Sequence, residues 1–244
     1  LMSLEILVVD DSALLRRVEC DIINSDNKFK VTDTCKDGLE ALEKLRTKKY
    51  DGVVLDINMP RMDGLELLQQ LQKEKIKANI VMASTLTVEG ADEAIKSLEL
   101  GAIDFVTKPS NIIEAKGDAF KKALLDVLYA ATKARVHFKK PSLTPAADKT
   151  AASSVNRLKK PGQNKIIAIA SSTGGPKALQ SVIPKIPADI DAPVVLVQHM
   201  PAGFTSSMAA RLNELSKVQV KEAEDGELLK KGVVYIAPGG KHIV

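Results

Sequence analysis

The stretch Ile6-Leu7-Val8-Val9-Asp10-Asp11-Ser12 decides the fold of the first half of this chain. Four consecutive aliphatic residues have the length and composition of a strand that is buried in a parallel sheet. The Asp-Ser pair that follows is typical of a helix start, because short polar side chains cap free backbone N–H groups. The stretch therefore predicts a buried strand that runs directly into a helix, with two carboxylates at the junction.

The same alternation of short aliphatic runs and helical spacing continues to residue 107. Four more runs have strand length: Val31–Cys35, Val53–Leu55, Ile80–Ala83 and Ile103–Thr107. The segments between them carry apolar residues at helical spacing, and a long helix is predicted over Ala119–Arg135. Five strand–helix units predict a doubly wound α/β domain, which we assign to residues 1–137.

The composition changes after residue 137. Residues 138–164 are rich in Lys, Pro, Ala, Ser and Thr without a sustained apolar period, which predicts a linker. A second α/β pattern occupies residues 165–244. Its strands are predicted at Ile166–Ala170, Val194–Gln198, Val218–Val220 and Val233–Ala237, and its helices from Pro176 and over Gly203–Ser216. We expect this second domain to be truncated, because about 80 residues with open sheet edges bury apolar surface poorly.

Composition and charge exclude several classes of protein. The net charge is +4, but the basic residues are spread over predicted helices and the linker, which favours a solvated surface over a nucleic-acid site. No apolar run approaches the roughly 18 residues of a membrane span. The only two cysteines, Cys20 and Cys35, are typical of reduced core thiols. These features predict a cytoplasmic protein that neither binds nucleic acid nor inserts into a membrane.

Polar side chains follow the strands of the first domain at their carboxyl ends, which meet at one edge of such a sheet. They are Asp10, Asp11, Asp56, Ser84 and Lys108. Clustered carboxylates repel one another unless a hard cation such as Mg²⁺ joins them. A carboxylate can attack a phosphoryl group while Mg²⁺ and a lysine offset the charge, and a small hydroxyl can then bind the new phosphate. The alternative is that each aspartate only caps a helix, but the joint placement favours a phosphorylation site.

The runs around these residues resemble the signatures of response-regulator receiver domains. They are Ile6–Ser12, Leu55–Pro60 with Met62-Asp63-Gly64, and Asp104–Pro109. The resemblance covers residues 4–135 and implies a flavodoxin-like (βα)5 domain that is phosphorylated on Asp56. It further implies a Mg²⁺ site of Asp10, Asp11, Asp56 and the Asn58 carbonyl, phosphate sensing by Ser84 and Lys108, an aromatic switch at Phe105, and a cis Lys108–Pro109 peptide.

A second set of polar residues lies in the second domain. Its first predicted strand runs into Ser171-Ser172-Thr173-Gly174-Gly175-Pro176, a tight turn before a helix, which suits the presentation of a nucleophile. The next strand ends at His199, on the same edge of the sheet as Ser172. An imidazole within hydrogen-bond reach makes a serine a competent nucleophile. Small-residue loops after strands also bind phosphates or merely turn the chain, so the spacing alone leaves those alternatives open.

Four segments of the second domain resemble the catalytic domain of chemotaxis protein-glutamate methylesterases, the CheB family. They are Ala170–Gly175, Gln198–Phe204, Glu222–Gly226 and Tyr235–Gly239. The resemblance implies a Rossmann-like esterase domain with Ser172 as the nucleophile and His199 as the general base. Ser171 stands where the family usually has Ala, and the spacing to Thr173-Gly174-Gly175 favours Ser172 over Ser171. The triad Asp of the family is expected beyond residue 244, so the truncated chain is expected to be inactive.

The combined resemblance implies a phosphorylation-activated esterase for glutamyl methyl esters of methyl-accepting chemoreceptors, which also deamidates glutamines. Its partners would be a chemotaxis histidine kinase and the receptors, with no cofactor for the esterase. One alternative is a phospho-switch and docking module without catalysis. A receiver with a DNA-binding output is disfavoured, because residues 165–244 predict strand–helix repeats instead of a helix-turn-helix.

Overall fold

The computed structural model describes residues 3–134 and 165–244, so the predicted linker lies outside the described residues. The strands of the first sheet are β1 (Leu4–Val9), β2 (Phe29–Cys35), β3 (Gly52–Asp56), β4 (Ile80–Ser84) and β5 (Asp104–Thr107). All four pairings are parallel, in the order β2-β1-β3-β4-β5. This is the flavodoxin-like order, which confirms the predicted fold class of the first domain.

Helices cover both faces of the first sheet. They are α1 (Ala13–Asn24), α2 (Gly38–Thr47), α3 (Gly64–Glu74), α4 (Val88–Glu99), the short α5 (Ile112–Ala115) and α6 (Asp118–Lys133). As the sequence predicts, the Ser12 hydroxyl caps α1 by accepting a hydrogen bond from the Leu15 N–H. Apolar side chains on the two faces form separate buried clusters, which fix every strand in register.

The second domain is a four-stranded parallel sheet in the order β6-β7-β9-β8. Its elements are β6 (Ile167–Ser171), α7 (Gly175–Val182), a 3-10 turn (Ile183–Lys185), β7 (Val194–Gln198), α8 (Phe204–Leu215), β8 (Gln219–Glu222) and β9 (Val233–Ile236). Every predicted strand and helix of this domain is present within two residues of its expected bounds. The apolar side of the sheet packs against α7 and α8.

Strand β6 is less buried than its aliphatic sequence predicts. It lies at the edge of the sheet, and Ile167 is 38% exposed, although Ile169 packs against the core. Val197 on the neighbouring β7 is also exposed, at 45%. An aliphatic run indicates a buried strand only when neighbours cover both faces, and the described residues cover one face here.

The two domains share one hydrophobic core. Helix α4 of the first domain packs against α7 and α8 of the second, and a single apolar cluster continues across this boundary. Across this boundary the rings of Phe105 and Phe204 stack with their centroids 5.1 Å apart. Strand β5 is an edge strand of the first sheet, and its residues Asp104 and Phe105 contact Gly174 and Phe204 of the second domain.

Two further observations complete the description of the fold. Among the described residues no helix is long and apolar enough to cross a membrane. The Lys108–Pro109 peptide is trans, since the described residues contain no cis peptide bond, so the expected cis bond is wrong. The trans form is also the one that an X–Pro bond prefers without a constraint from its surroundings.

Candidate functional site

Three carboxylates meet at the carboxyl ends of β1 and β3. One oxygen from each of Asp10, Asp11 and Asp56 lies within 4.8 Å of the others. Asp10 is fully buried and Asp56 is 5% exposed, whereas Asp11 is open to solvent. The N–H of Ser12 donates to Asp10 Oδ1 at 2.8 Å, which holds that carboxylate at the start of α1. The sequence prediction that these residues converge is therefore correct.

Lys108 supplies the positive charge of this pocket. Its Nζ lies 2.6 Å from Asp10 Oδ2 and 2.7 Å from Asp56 Oδ2, and its backbone N–H donates to the Ser84 carbonyl at 2.6 Å. Burial raises the pKa of Asp56 to about 6, an effect that Lys108 opposes and Asp10 reinforces. Burial alone would lower the pKa of Lys108, but Asp56 and Asp10 outweigh it and raise that pKa. The Lys108 ammonium is therefore the positive charge that pairs with both buried carboxylates of the pocket.

Three other residues named from the receiver resemblance have different surroundings. The Ser84 hydroxyl is buried and donates to the Gly90 carbonyl of α4 at 2.6 Å. The exposed Asn58 donates its side-chain amide to Glu93 at 3.3 Å. Phe105 is 7% exposed and stacked on Phe204, so its ring lies between the two domains. Ser84 and Phe105 thus connect the acidic pocket to α4 and to the domain boundary.

The donor set fits the Mg²⁺ that the receiver fold implies. Carboxylate oxygens are the ligands that this hard cation prefers, and three of them converge here. Asp10, Asp11 and Asp56 would hold the ion, which would offset negative charge on a transferring phosphoryl group. Lys108 balances part of that carboxylate charge in the arrangement described.

The candidate nucleophile lies on the turn between β6 and α7. Ser172 is exposed, and its carbonyl accepts from the Gly175 N–H at 2.7 Å, which closes the turn. Gly174 has φ of +75°, a left-handed conformation that favours glycine, and Pro176 is the second residue of α7, in the first turn where proline is tolerated. By contrast, the Ser171 hydroxyl is bonded to Gln198 Oε1 at 2.6 Å. This difference supports Ser172 as the reactive serine of the pair.

Gln198 joins the serine turn to the histidine turn, and the sequence reasoning did not single it out. Its side chain is 4% exposed, and its Nε2 donates to the carbonyls of Ser172 at 3.0 Å and His199 at 3.2 Å. A Cβ on Gly175 would collide with its Oε1, so the glycine makes room for it. The sequence signal for this residue was its position directly before the candidate base. Its hydrogen bonds to both carbonyls could not be foreseen, because they require β6 and β7 to be neighbouring strands.

The Ser172 and His199 side chains line one cavity of about 420 Å³ between the domains. Its other wall comes from the first domain, through β5 residues Asp104 to Thr107 and through α6. Among the described residues, neither the Ser172 hydroxyl nor the His199 imidazole has a hydrogen-bond partner. Catalytic hydrogen bonds are often long or absent without substrate, so this arrangement is compatible with a nucleophile–base pair.

Polar contacts join the first domain to the second domain beside this cavity. The Asp104 carboxylate accepts from the Gly174 N–H at 2.6 Å, directly beside the serine turn. Lys177 Nζ donates to the carbonyls of Gly101 and Ala102 at 3.0 and 2.9 Å. Arg211 forms a two-point ion pair with Glu99, in which Nη2 lies 2.8 Å from Oε2. These contacts pair groups that are 70 to 112 residues apart, so no local sequence pattern could reveal them.

Glu19 on α1 is a second residue that the sequence did not single out. It is fully buried, and neither of its carboxyl oxygens has a hydrogen-bond partner within the described part of the chain. Burial raises the pKa of Glu19 to about 8, with a further contribution from Asp10. This carboxyl group therefore stays protonated near neutral pH, and it sits close enough to the acidic pocket to sense its charge.

Comparisons with known proteins identify the family of each domain. The model of the CheB methylesterase family matches residues 167–244, and that of the response regulator receiver domain matches residues 6–116. The chain is 44% identical to a protein-glutamate methylesterase/protein-glutamine glutaminase of Halalkalibacterium halodurans, over 98% of the chain and 67% of that relative. For the Bacillus subtilis protein of the same name the values are 43%, 98% and 68%.

A solved structure is also similar: the response regulator domain of Thermotoga maritima CheB is 39% identical, with 53% of this chain and 94% of that chain covered and a TM-score of 0.45. The fold and the two matched models define a response regulator whose receiver precedes a hydrolase domain. The chain belongs to the CheB family of protein-glutamate methylesterases, and it spans about two thirds of the length of these relatives.

Proposed function

We propose that this chain is the receiver and the serine–histidine part of a phosphorylation-activated esterase of the cytoplasm. Its substrates are glutamyl methyl esters on methyl-accepting chemoreceptors, which it hydrolyses to glutamate and methanol, and it also deamidates glutamine side chains. A chemotaxis histidine kinase supplies the phosphoryl group. The observation that carries the proposal is the cavity that Ser172 and His199 share with the receiver strand β5.

The first step takes place in the acidic pocket. The Asp56 carboxylate attacks the phosphorus of the phosphodonor and forms an aspartyl phosphate. The rest of the donor leaves with the electrons of the broken P–N or P–O bond. Because the pKa of Asp56 is about 6, the group is ionised and nucleophilic at neutral pH. Lys108 then pairs with the phosphate oxygens, and the Ser84 hydroxyl leaves the Gly90 carbonyl to donate to them. Either movement changes contacts of β5 or α4, the two receiver elements that lie between the acidic pocket and the second domain.

The second step takes place at the serine turn. The Ser172 hydroxyl attacks the ester carbonyl while His199 takes its proton, and the proton then passes to the departing methanol. Water, deprotonated by His199, attacks the acyl-serine and releases the glutamate carboxylate. Gln198 keeps the two turns together by its bonds to both carbonyls. For a glutamine substrate the same steps release ammonia.

Control follows from the position of the receiver. In the arrangement described, β5 and α6 form the receiver wall of the cavity that Ser172 lines, and a folded receptor helix of about 10 Å diameter does not fit into a cavity of about 420 Å³. We infer that this arrangement is the inactive one and that phosphorylation of Asp56 weakens the domain boundary. A shift of this kind requires that the phosphorylated receiver bind the second domain less tightly than the unphosphorylated one.

Methanol release from methylated receptor tests the proposal. We would measure it for the chain and for a hybrid extended at its C-terminus to the length of the relatives with the matching Bacillus subtilis segment. We expect turnover by the hybrid that rises with acetyl phosphate and disappears in Ser172→Ala, while Ser171→Ala retains most of it. Asp56→Asn should retain only the basal rate.

The competing function is a phospho-switch and docking module without catalysis. It gains support if the hybrid releases no methanol in any condition while phosphorylation still changes its binding to receptor. Turnover by the hybrid alone would mean that the chain requires residues that supply the remainder of the active site, such as an orienting carboxylate. Triad hydrolases lose roughly 10⁴-fold in rate without that carboxylate.

A further inference from the structure

Two segments of the second domain that resemble the catalytic domain, 222–226 and 235–239, contain no residue that the proposed mechanism uses. Strand β8 ends at Glu222, and it pairs in parallel with β9. Both segments therefore continue past the same edge of the sheet, the one that carries Ser172 and His199. They lie where their contacts can support the reactive residues.

Thr205 joins these two segments. It lies in the first turn of α8 and is fully buried, and its hydroxyl donates to Glu222 Oε1 at 2.5 Å. The same hydroxyl oxygen accepts from the Gly239 N–H at 2.9 Å. A hydroxyl can donate one hydrogen bond and accept another at the same time, whereas a carboxylate only accepts. Glu222 therefore fixes the direction of the Thr205 proton and leaves the oxygen lone pairs for Gly239.

Gly239 lies directly against the histidine turn, residues 199–203. A Cβ on this glycine would collide with the carbonyl of Pro201 and with the nitrogen of Ala202, so the two backbones touch with no side chain between them. The next residue, Gly240, lines the same cavity as the histidine turn. A displacement of Gly239 would therefore pass to the histidine turn, because close-packed backbone transmits strain and no flexible side chain absorbs it.

The position of the His199 imidazole depends on the backbone that carries it, since no side chain of the described residues hydrogen-bonds the ring. The first half of the histidine turn is held by the His199 N–H, which donates to the Ser171 carbonyl at 3.2 Å, and by Gln198, which donates to the His199 carbonyl. The second half contacts Gly239. Misplacement of a catalytic group by about 1 Å can cost about 100-fold in rate, so both attachments bear on catalysis.

We propose that Thr205 is a positioning residue of the esterase: its hydroxyl, oriented by Glu222, holds Gly239 against the histidine turn and thereby sets where the His199 imidazole lies relative to Ser172. The inference rests on the proposed esterase function and deepens it. Thr205 does not line the cavity, so it acts through the backbone of residues 238–240. Loss of its hydroxyl should slow the chemical steps and leave substrate binding unchanged.

The first test uses the chain itself and needs no catalysis. Thr205→Val keeps the shape of the side chain and removes the hydroxyl, whereas Thr205→Ser keeps the hydroxyl. In protein labelled with ¹⁵N and ¹³C, Thr205→Val should speed hydrogen exchange at the Gly239 amide and shift the His199 imidazole resonances. Thr205→Ser should leave both close to the wild type. Ser206→Ala is the matched control, because it removes an exposed hydroxyl of the same helix turn that donates to the Gly203 carbonyl instead.

Variants of Glu222 keep this test independent of the folding of Thr205→Val. Glu222 is half-buried on β8, an edge strand, so its replacement disturbs the core less than a change at Thr205. Glu222→Ala removes the acceptor of the Thr205 hydroxyl and should change Gly239 and His199 in the same direction, whereas Glu222→Gln retains an acceptor oxygen and should not. Faster exchange at Gly239 with unmoved His199 resonances would overturn the proposal, because the 238–240 turn would then loosen without moving the histidine.

The second test measures steady-state kinetics of the phosphorylated hybrid on methylated receptor. Thr205→Val should lower kcat about tenfold or more and leave KM nearly unchanged, because the base is misplaced while the binding surface is intact. Thr205→Ser and Ser206→Ala should retain most of the wild-type kcat.

The outcomes separate the inference from the function on which it rests. Equal kcat in the wild type and Thr205→Val would overturn the inference and leave the proposed function standing. A loss that Thr205→Ser does not restore, or a change confined to KM, would also overturn it, because the hydroxyl would then not set the position of the base. No turnover by the wild-type hybrid in any condition would overturn the proposed function and the inference together.

Discussion

Replacement of Glu19 by Gln should stabilise the first domain, by an amount that grows with pH. The pKa of Glu19 is raised from 4.5 to about 8 in the folded state, chiefly by burial. For an acid with a raised folded pKa, the unfolded chain releases the proton first, so stability is lost as pH rises from about 4.5 to about 8. One pKa unit corresponds to about 1.4 kcal/mol, so the wild type should lose roughly 3 kcal/mol by pH 7 and under 1 kcal/mol by pH 5.

Glutamine has the shape of the protonated glutamate and does not titrate, so it isolates the proton linkage. We would follow urea unfolding through the amide resonances of β1 and β3 at pH 5, 6, 7 and 8, with a chelator present. The stability gained by Glu19→Gln should rise at each step. Glu43→Gln on the exposed side of α2 is the matched control, and surface changes of this kind are usually within about 0.5 kcal/mol. A gain that is the same at every pH would refute the reasoning, because it would mean that Glu19 is ionised in the folded protein.

Three further outcomes are expected. Gln198→Leu in the phosphorylated hybrid should lower kcat at least tenfold and leave KM nearly unchanged in steady-state assays. The reason is that leucine cannot donate the two hydrogen bonds that Gln198 gives to the Ser172 and His199 carbonyls. A change confined to KM would count against this role. In the presence of a chelator, the Asp56 carboxylate should take up a proton as pH falls through about 6, because burial raises its pKa. A side-chain carboxyl ¹³C resonance of Asp56 that does not move between pH 4.5 and 7 would disagree. Phe204→Leu removes the stacking on Phe105 and should increase hydrogen exchange at the Gly174 amide several-fold, whereas unchanged exchange would show that the ring pair does not hold the domains closed.

The sequence by itself determined most of the fold. Short aliphatic runs separated by helical spacing located the nine strands found in residues 3–134 and 165–244, because strand length and apolar periodicity are local properties of the chain. The parallel arrangement followed, and with it the convergence of Asp10, Asp11 and Asp56 at one edge. The rule that ligands meet at the carboxyl ends of parallel strands converts strand positions into a site without any knowledge of contacts.

The sequence also placed the Ser172 turn and His199 on one edge, because they end two strands that turned out to be neighbours. The resemblance favoured Ser172 over Ser171 by the spacing to Thr173-Gly174-Gly175. The structure adds that the Ser171 hydroxyl is bonded to Gln198 whereas Ser172 is exposed. A glutamine folding back across two strands is a matter of side-chain packing, which a one-dimensional pattern does not record.

Only the tertiary structure decided how the two domains meet. The contacts of Asp104 with Gly174, of Arg211 with Glu99 and of Phe105 with Phe204 join residues far apart in the chain. Their side chains are ordinary for their elements, so no composition or spacing distinguishes them from surface or core residues. The burial of Glu19 is of the same kind, because a glutamate on an amphipathic helix predicts a solvated face. Local patterns fix which elements form and where they end, whereas the pairing of remote groups depends on the free energy of the whole packed molecule.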